Sequence, residues 1–440
     1  MIEVRCFQSL EELTSLREEI NALNMASVRP DPFSTLEFYE SYFQHDQLLS
    51  ESKGFYLCFL AAFEDSRLVG YLPLKRTSLR VFGLRATKLN FFAVHDIDLP
   101  HLVARTEYAQ AVVKACHDYL FGHDKNWSLL EFQQQTKDSL LFQPPFVDAP
   151  KGYRIRHWPE WSSWTIPIRW KSLQEYVKEF SKKFRSNVSR QMRNLFAAGQ
   201  LEFIGSSDPE VTPFLLELYL GIETFSWKSQ AGLSIGRSPA RIEYFRRLLT
   251  TDQPMRVSIL LLLLNGVPIA GLINGSYGGA LYALQVVFDD RLSRLSPGAA
   301  ILLLGMREAI IGGYRHFSLL SGFDYFKNRW LAEATETQSI QIYRTSSPLF
   351  WRRTIGDLIR RVLHGVKKRS GMLSNPDRVG TAVPSEESTN PAAALDSRGT
   401  TEQQSRVSVL IAKVRCGKYQ SLSAAELAAA MPFGMAYIGS

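Results

Sequence analysis

The sequence has little cysteine. Cys6, Cys58, Cys116 and Cys416 are the only four in 440 residues, and no two form a CxxC pair. That excludes a disulfide-built scaffold and a cysteine zinc site, and it suits a reducing compartment. Long apolar runs are missing too. The longest near-continuous one is Val257 to Leu264, far below the ~20 residues that span a bilayer. The opening MIEVRCFQSLEELTSL has no basic patch leading into an apolar stretch, so no signal peptide is expected and the reading is cytoplasmic. HExxH, GxxxxGK[ST] and GxGxxG are all absent, and no two of the eight histidines stand four apart. These absences argue against a zinc or other metal site, a phosphate-binding Walker loop and a dinucleotide fold. Charge of one sign is scarce in the body of the chain. The formal net charge is +8, but residues 346–440 contribute +6, leaving +2 for the first 345. A near-neutral body lacks the cationic surface nucleic acid requires, so no nucleic-acid partner is expected.

What is present is an ordinary globular composition, 45% hydrophobic and 21% charged, at a length that predicts two to three domains. A strand is expected over residues 2–7. A helix capped by Ser9 follows over 10–22, and a second helix capped by Ser34 runs through Phe43. Residues 55–63 and 68–75 read as a hairpin, 80–94 as an extended stretch, 107–121 as a helix and 128–133 as a strand. Proline and tryptophan near 145–170 mark a boundary. Helices are expected at 173–180, 182–198, 213–226 and 239–250. The clearest pattern is a meander over 257–264, 267–276 and 280–288, with Asn265-Gly266 and Gly278-Gly279 as its tight turns. A helix from Ser296-Pro297 to about Ile311 and a strand over 316–320 complete it. Residues 55–76 share the rhythm of 257–277, and each is followed by an extended stretch, a long helix and a short strand. The expectation is therefore an α/β (α+β) protein of two tandem units, 1–160 and 161–345. A basic helix at 346–370 and a low-complexity, disordered tail at 371–440 follow, with a short helix expected at 423–430.

Chemistry is best placed at the join of the meander and its helix. Ser296 suits the N-cap and Pro297 the first helical position, while Gly298, Ala299 and Ala300 leave the first turn without bulk. Unpaired N–H groups at such a start attract an anion, and small residues let a pyrophosphate approach. The same spacing is also that of a capped core helix packed closely on its sheet.

Taken in order, the meander, the turn Leu295-Ser-Pro-Gly298, Gly312-Gly313 and Gly322-Phe-Asp-Tyr-Phe-Lys327-x-x-Trp330 resemble the GNAT acyltransferase core. They are similar in particular to its CelD-type branch from cellulose-biosynthesis clusters, which is related to the Fem aminoacyltransferases. Leu68 to Leu74, His95-Asp-Ile-Asp98 and Lys183-x-Arg185 with Arg190 are similar to further parts of that branch. The resemblance spans about residues 1–345. It implies two units, each a mixed, mainly antiparallel sheet flanked by helices. It also implies acyl transfer from acetyl-CoA or another acyl-CoA to an amine or hydroxyl acceptor, a small molecule or glycan precursor. Ser296, Pro297, Gly298, Ala299, Ala300 and Val287 would hold the donor, with main-chain N–H groups of 280–288 polarising its carbonyl. Lys327 is implied as an electrostatic stabiliser, Asp324 and Tyr325 as base or acid, and Tyr282 as donor to the thiolate. Asp98, Arg185 and Arg190 would meet the acceptor or an anionic group. In this reading Gly298→Glu abolishes donor binding and leaves the fold intact. Two alternatives stand: a Fem-like enzyme using aminoacyl-tRNA, and a non-catalytic scaffold of a polysaccharide-synthesis complex.

Residues 351–369 carry seven Lys/Arg and one Asp, with Trp351, Ile355, Leu358, Ile359, Val362 and Val366 near one face. Such a helix either docks on the core by its apolar face or lies on the inner face of an anionic membrane. Docking is the expectation.

Overall fold

The computed structural model describes residues 2–49, 55–93, 96–322, 326–369, 411 and 420–422. Its strands, in chain order, begin with β1 (Glu3–Phe7), β2 (Phe55–Glu64), β3 (Arg67–Val81), β4 (Leu84–Phe91), β5 (Val103–Ala104), β6 (Leu129–Gln135), β7 (Tyr153–Pro159) and β8 (Ser163–Pro167). They continue with β9 (Leu201–Ser206), β10 (Arg256–Leu264), β11 (Val267–Tyr277), β12 (Ala280–Phe288), β13 (His316–Ser321), β14 (Glu333–Thr335), β15 (Gln338–Arg344) and β16 (Gln420–Leu422). The helices are α1 (Leu10–Leu13), α2 (Arg17–Met25), α3 (Leu36–Leu49), α4 (Ala109–Asp118), α5 (Leu173–Lys178), α6 (Lys182–Ala197), α7 (Thr212–Glu223), α8 (Trp227–Gln230), α9 (Pro239–Thr250), α10 (Pro297–Ile311) and α11 (Pro348–Arg369).

Two mainly antiparallel sheets result. The first runs β1-β2-β3-β4-β6-β15-β7 with β5 on β3; the second runs β14-β8-β13-β12-β11-β10-β9-β16. The duplication read from the sequence is a topological fact. In the first sheet the meander β2-β3-β4 leads through α4 to β6, parallel to β4. In the second, β10-β11-β12 leads through α10 to β13, parallel to β12. Asn265 and Gly266 have φ of +51° and +76°, and Gly278 and Gly279 have +56° and +80°. These are the left-handed pairs that a two-residue hairpin matching the strand twist demands. The unbroken leucine run of β10 is buried on both faces. Ile259, Leu261 and Leu263 point into one core and Leu260, Leu262 and Leu264 into another, as expected for a strand covered by helices on both sides.

The units share a core. Leu13, Phe38 and Tyr42 pack in one cluster with Tyr219, Tyr244 and Leu248, and the Tyr42 and Tyr244 rings meet edge-on at 6.2 Å. Asn24 Nδ2 donates to Tyr277 Oη at 3.1 Å across the same seam.

Several expectations change. The expected second unit of 161–345 does not form one sheet: β8 sits against β13 in the second sheet, but β15 returns to the first between β6 and β7. The first helix breaks at a 3-10 turn over Thr14–Leu16. Ser9 Oγ does accept from Glu12 N, but the Glu12 carboxylate takes Gln8 N. Thr35 rather than Ser34 offers its hydroxyl to the start of α3, accepting from Phe38 N at 3.3 Å. Residues 80–94 are not one extended stretch: Phe82 and Gly83, with φ of +52° and +77°, turn β3 into β4. Within the tail expected to be disordered, β16 pairs with β9 and Ile411 is buried in the shared core. The helix expected at 423–430 lies outside the described residues. Cys6 and Cys58, 52 positions apart, stand with their sulfurs 3.6 Å apart.

Candidate active site

The second sheet opens at its centre. β12 and β13 pair through Ala280↔His316, Leu281↔Phe317 and Tyr282↔Ser318, and then part. Irregularities on both strands accompany the opening. The β11–β12 register shifts between Ile273 and Asn274, leaving Leu284 as the extra residue. On β13 the pairing with β8 jumps from Ser318↔Thr165 to Ser321↔Ser163, with Leu320 at φ +55°. Bulges bend strands and end ladders in this way. Past Tyr282 the β13 side of β12 therefore faces a gap, where main-chain N–H groups can polarise a carbonyl oxygen.

The start of α10 borders the gap. Ser296 is left-handed, at φ +54° and ψ 50°, and its side chain caps no N–H group. Pro297 and Ala300 are buried, while Gly298 and Ala299 are partly open. Ala299 and Ala300 N–H both point at the Ser296 carbonyl, at 3.0 and 3.3 Å. A Cβ on Gly298 would come within 2.8 Å of Phe288 Cδ1. A side chain at 298 therefore displaces the Phe288 ring of the adjoining strand, so Gly298→Glu is expected to strain the fold as well as the donor site. The Val287 side chain points into the shared core, so only its main chain is available to the gap. α6 packs against the 290–295 turn that precedes α10. Arg185 donates to the Lys178 carbonyl and Arg190 to Asn187 Oδ1, each at 2.9 Å, so both stay on the helix surface.

Lys327 is buried at the end of β13. Its Nζ donates to the carbonyls of Leu319, Leu320 and Ser321 at 3.0, 2.9 and 3.1 Å. The ammonium thus ties down the bulged strand end. Beside it lies Asp98, brought from the first unit. Asp98 Oδ2 accepts from Ser163 Oγ at 2.5 Å. Burial pushes its carboxyl up to about 6, against the pull of Ser163, Arg29 and Lys327. Asp31 is likewise raised to about 6 by burial, against its bond from Ser34 and the charge of Arg29. Tyr282 sits half-buried between the units with its ring edge-on to Phe33 at 5.8 Å. Burial and then the Asp31 charge raise its phenol, which stays neutral. Asp98 thus lies within electrostatic reach of both Lys327 and Tyr282, whereas Asp324, Tyr325 and His95 lie outside the described residues.

A second polar group at the opening was not singled out from the sequence. Gln285, just past the β12 bulge, accepts from Lys228 Nζ at 2.7 Å and donates to Asp96 Oδ1 at 2.9 Å. Arg241 Nη2 also donates to Asp96 Oδ1, at 2.7 Å. Burial lowers the Lys228 ammonium to about 8 even though Glu223 and Asp96 favour its charge. Glu223, at the end of α7, is 1% exposed. One oxygen accepts from Gly236 N at 3.0 Å and the other, Oε1, has no hydrogen-bond partner among the described residues. It lines a cavity of about 500 Å³ with Ser229, Ser234 and Arg237. The only sequence signal for this group was polar residues, Glu223 and Lys228, flanking the breaks around Ser226 and Trp227. Nothing in the one-dimensional pattern ties them to Gln285 or Asp96.

Comparison with known proteins agrees with this geometry. Residues 182–328, from α6 to just past Lys327, match the family described as acetyltransferase (GNAT) domain. The chain thus carries a GNAT-type acyltransferase domain in its second unit, within a fold of two mainly antiparallel sheets consistent with tandem GNAT-like units. No curated protein matches the chain. Among solved structures, FemX superposes with a TM-score of 0.52 at 12% identity, covering 79% of this chain and 99% of FemX. A Bacteroides thetaiotaomicron protein of unknown function gives 0.47 at 10% identity over 78% and 100% of the two chains. A tandem GNAT protein from the clavulanic acid biosynthesis pathway gives 0.41 at 9% identity over 79% and 99%.

Proposed function

We propose that the protein is an acyltransferase of the CelD type, moving an acyl group from acyl-CoA to an amine on a small-molecule or glycan-precursor acceptor. The observation that carries this reading is the parting of β12 and β13 directly beside a helix start built of small residues. Acyl-CoA supplies the activated acyl group as a thioester. The residues at the start of α10 suit its phosphates: partial positive charge, an uncapped left-handed serine and two alanines. Main-chain N–H groups of β12 beyond Tyr282 polarise the carbonyl.

The attacking amine has to be held and lose a proton, and the departing sulfur has to gain one. Glu223 Oε1, buried and without a partner among the described residues, is assigned to hold the amine. Lys228, held on Gln285 at the bulge with an ammonium lowered to about 8, is matched to a thiol's own pKa of roughly 8.5; it is assigned to give a proton to the departing sulfur and to be recharged by the proton the amine loses. Lys327 keeps the open strand end in shape.

Two measurements on the full chain test the reading. Acetyl-CoA and longer acyl-CoAs are expected to stabilise the protein, by about 2.7 kcal/mol at a hundred times the dissociation constant. An amine panel is then expected to release free CoA. Absence of a shift with every thioester refutes the donor assignment. A shift without CoA release from any acceptor leaves a binding scaffold as the reading.

A further inference from the structure

α11 is turned inside out. Its first turn tucks in Pro348, Leu349 and Phe350, and the positions that face the protein in the rest of its described half are Arg353, Thr354, Gly356 and Asp357, all half-buried. Asp357 is held there by Arg156 of β7 and by Arg353, and Arg353 lies 5.1 Å over the Trp158 ring. The apolar stripe faces outward: Trp351 is 54% exposed, Ile355 45%, Leu358 62% and Ile359 53%. A surface helix ordinarily buries its apolar stripe and wets its polar one. The docking expected from the sequence is therefore corrected, because the sheet engages the polar side.

A second element adds to this face. Tyr343 of β15 pairs with Leu129, which pairs in turn with Lys88 of β4. β15 thus ends level with Lys88, while the β3–β4 hairpin runs on past it to its tip. α11 begins four residues after β15 and packs against both hairpin strands. The tip carries Phe82 and Leu84, 66% and 60% exposed, between the exposed Arg80 and Arg85. Two neighbouring elements therefore present exposed apolar side chains set among arginines. The sequence of α11 then adds Arg360, Arg361, Lys367, Lys368 and Arg369 against Asp357 as its one acid.

We propose that α11 and the β3–β4 tip form one surface that lies on an anionic lipid bilayer. Apolar residues would insert at the headgroup level and arginines would pair with lipid phosphates. The charge selects this occupant, since a stripe meant for another protein's core has no need of seven cations along one helix. Among the described residues no helix is long and apolar enough to cross a membrane, so the contact is peripheral. It is independent of the acyl-transfer reading.

The test is sedimentation of the full-length protein with vesicles of phosphatidylcholine, with and without 30 mol% phosphatidylglycerol, an amount of roughly physiological anionic charge. Binding is expected to be at least about tenfold tighter to the anionic vesicles and to weaken in high salt. Leu358→Asp/Ile359→Asp and, separately, Phe82→Ser/Leu84→Ser are each expected to weaken it about tenfold, with unchanged thermal midpoints because all four side chains are exposed. Equal binding to neutral vesicles, or wild-type binding by either variant, overturns the joint surface. So does a self-association that Leu358→Asp/Ile359→Asp abolishes in a protein that binds no vesicle.

Discussion

Replacing Lys327 separates two accounts of the open strand end. The resemblance to acyltransferases gives this lysine to the reaction; in the structure its Nζ donates to the carbonyls of Leu319, Leu320 and Ser321 at 2.9–3.1 Å. Lys327→Met fills similar volume but leaves three carbonyls of a buried bulge without their shared donor. Charge-assisted hydrogen bonds contribute about 1.5–3 kcal/mol each before desolvation is counted. Breaking a buried ionic arrangement from one side costs about 3–5 kcal/mol net, roughly a hundredfold or more in the unfolding equilibrium. Urea unfolding followed by tryptophan fluorescence reads this directly, since Trp330 is buried on the same turn. The expected result is a lower midpoint with an unchanged slope. Lys327→Arg is expected to recover only part of the loss, because a flat guanidinium fork does not converge on three carbonyls as an ammonium does. Unchanged stability in Lys327→Met together with lost CoA release would refute the strand-end role and return the lysine to the reaction.

Asp31 and Asp98, each raised from 3.8 to about 6 by burial, bind protons more tightly when folded. Their contribution to stability is therefore present below about pH 4 and is lost as pH rises to about 6, on the order of 3 kcal/mol for each taken alone. Asp98→Asn is accordingly expected to be more stable than wild type at pH 7, with the difference vanishing near pH 4; a constant difference across urea titrations at both values refutes the assignment. Lys228→Met is expected to lower the turnover number by a factor of about 10²–10⁴ and to remove the fall in rate as pH rises through about 8, and a wild-type pH profile in that variant counts against its proton-donor role. Gly298→Ala is expected to cost about 1–3 kcal/mol by pressing on Phe288, and Phe288→Leu in the same chain is expected to recover part of it in thermal unfolding.

The sequence by itself determined the repeated unit and the start of α10. Asn265-Gly266 and Gly278-Gly279 leave the chain little choice of turn, because few residue pairs adopt two left-handed conformations in succession. The leucines of β10 announce a strand buried on both faces. Ser296-Pro297-Gly298 marks a helix start, because proline's missing N–H is no loss there. Tertiary structure decided what local pattern cannot express. β8 and β15 are short, flanked by Trp, Pro and Glu, and take their identity from the strands they join. Asp98 meets Ser163 across 65 positions, and Asp96 meets Gln285 across 189, so no spacing rule can pair them. Lys327 reads as an active-site lysine from its motif, but the twist of β13 at Leu320 turns three carbonyls toward it. The two faces of α11 were legible from helical period. Which of them met the protein was settled by Arg156 on a strand some 200 residues earlier, whose ion pair with Asp357 draws the polar side of the helix inward.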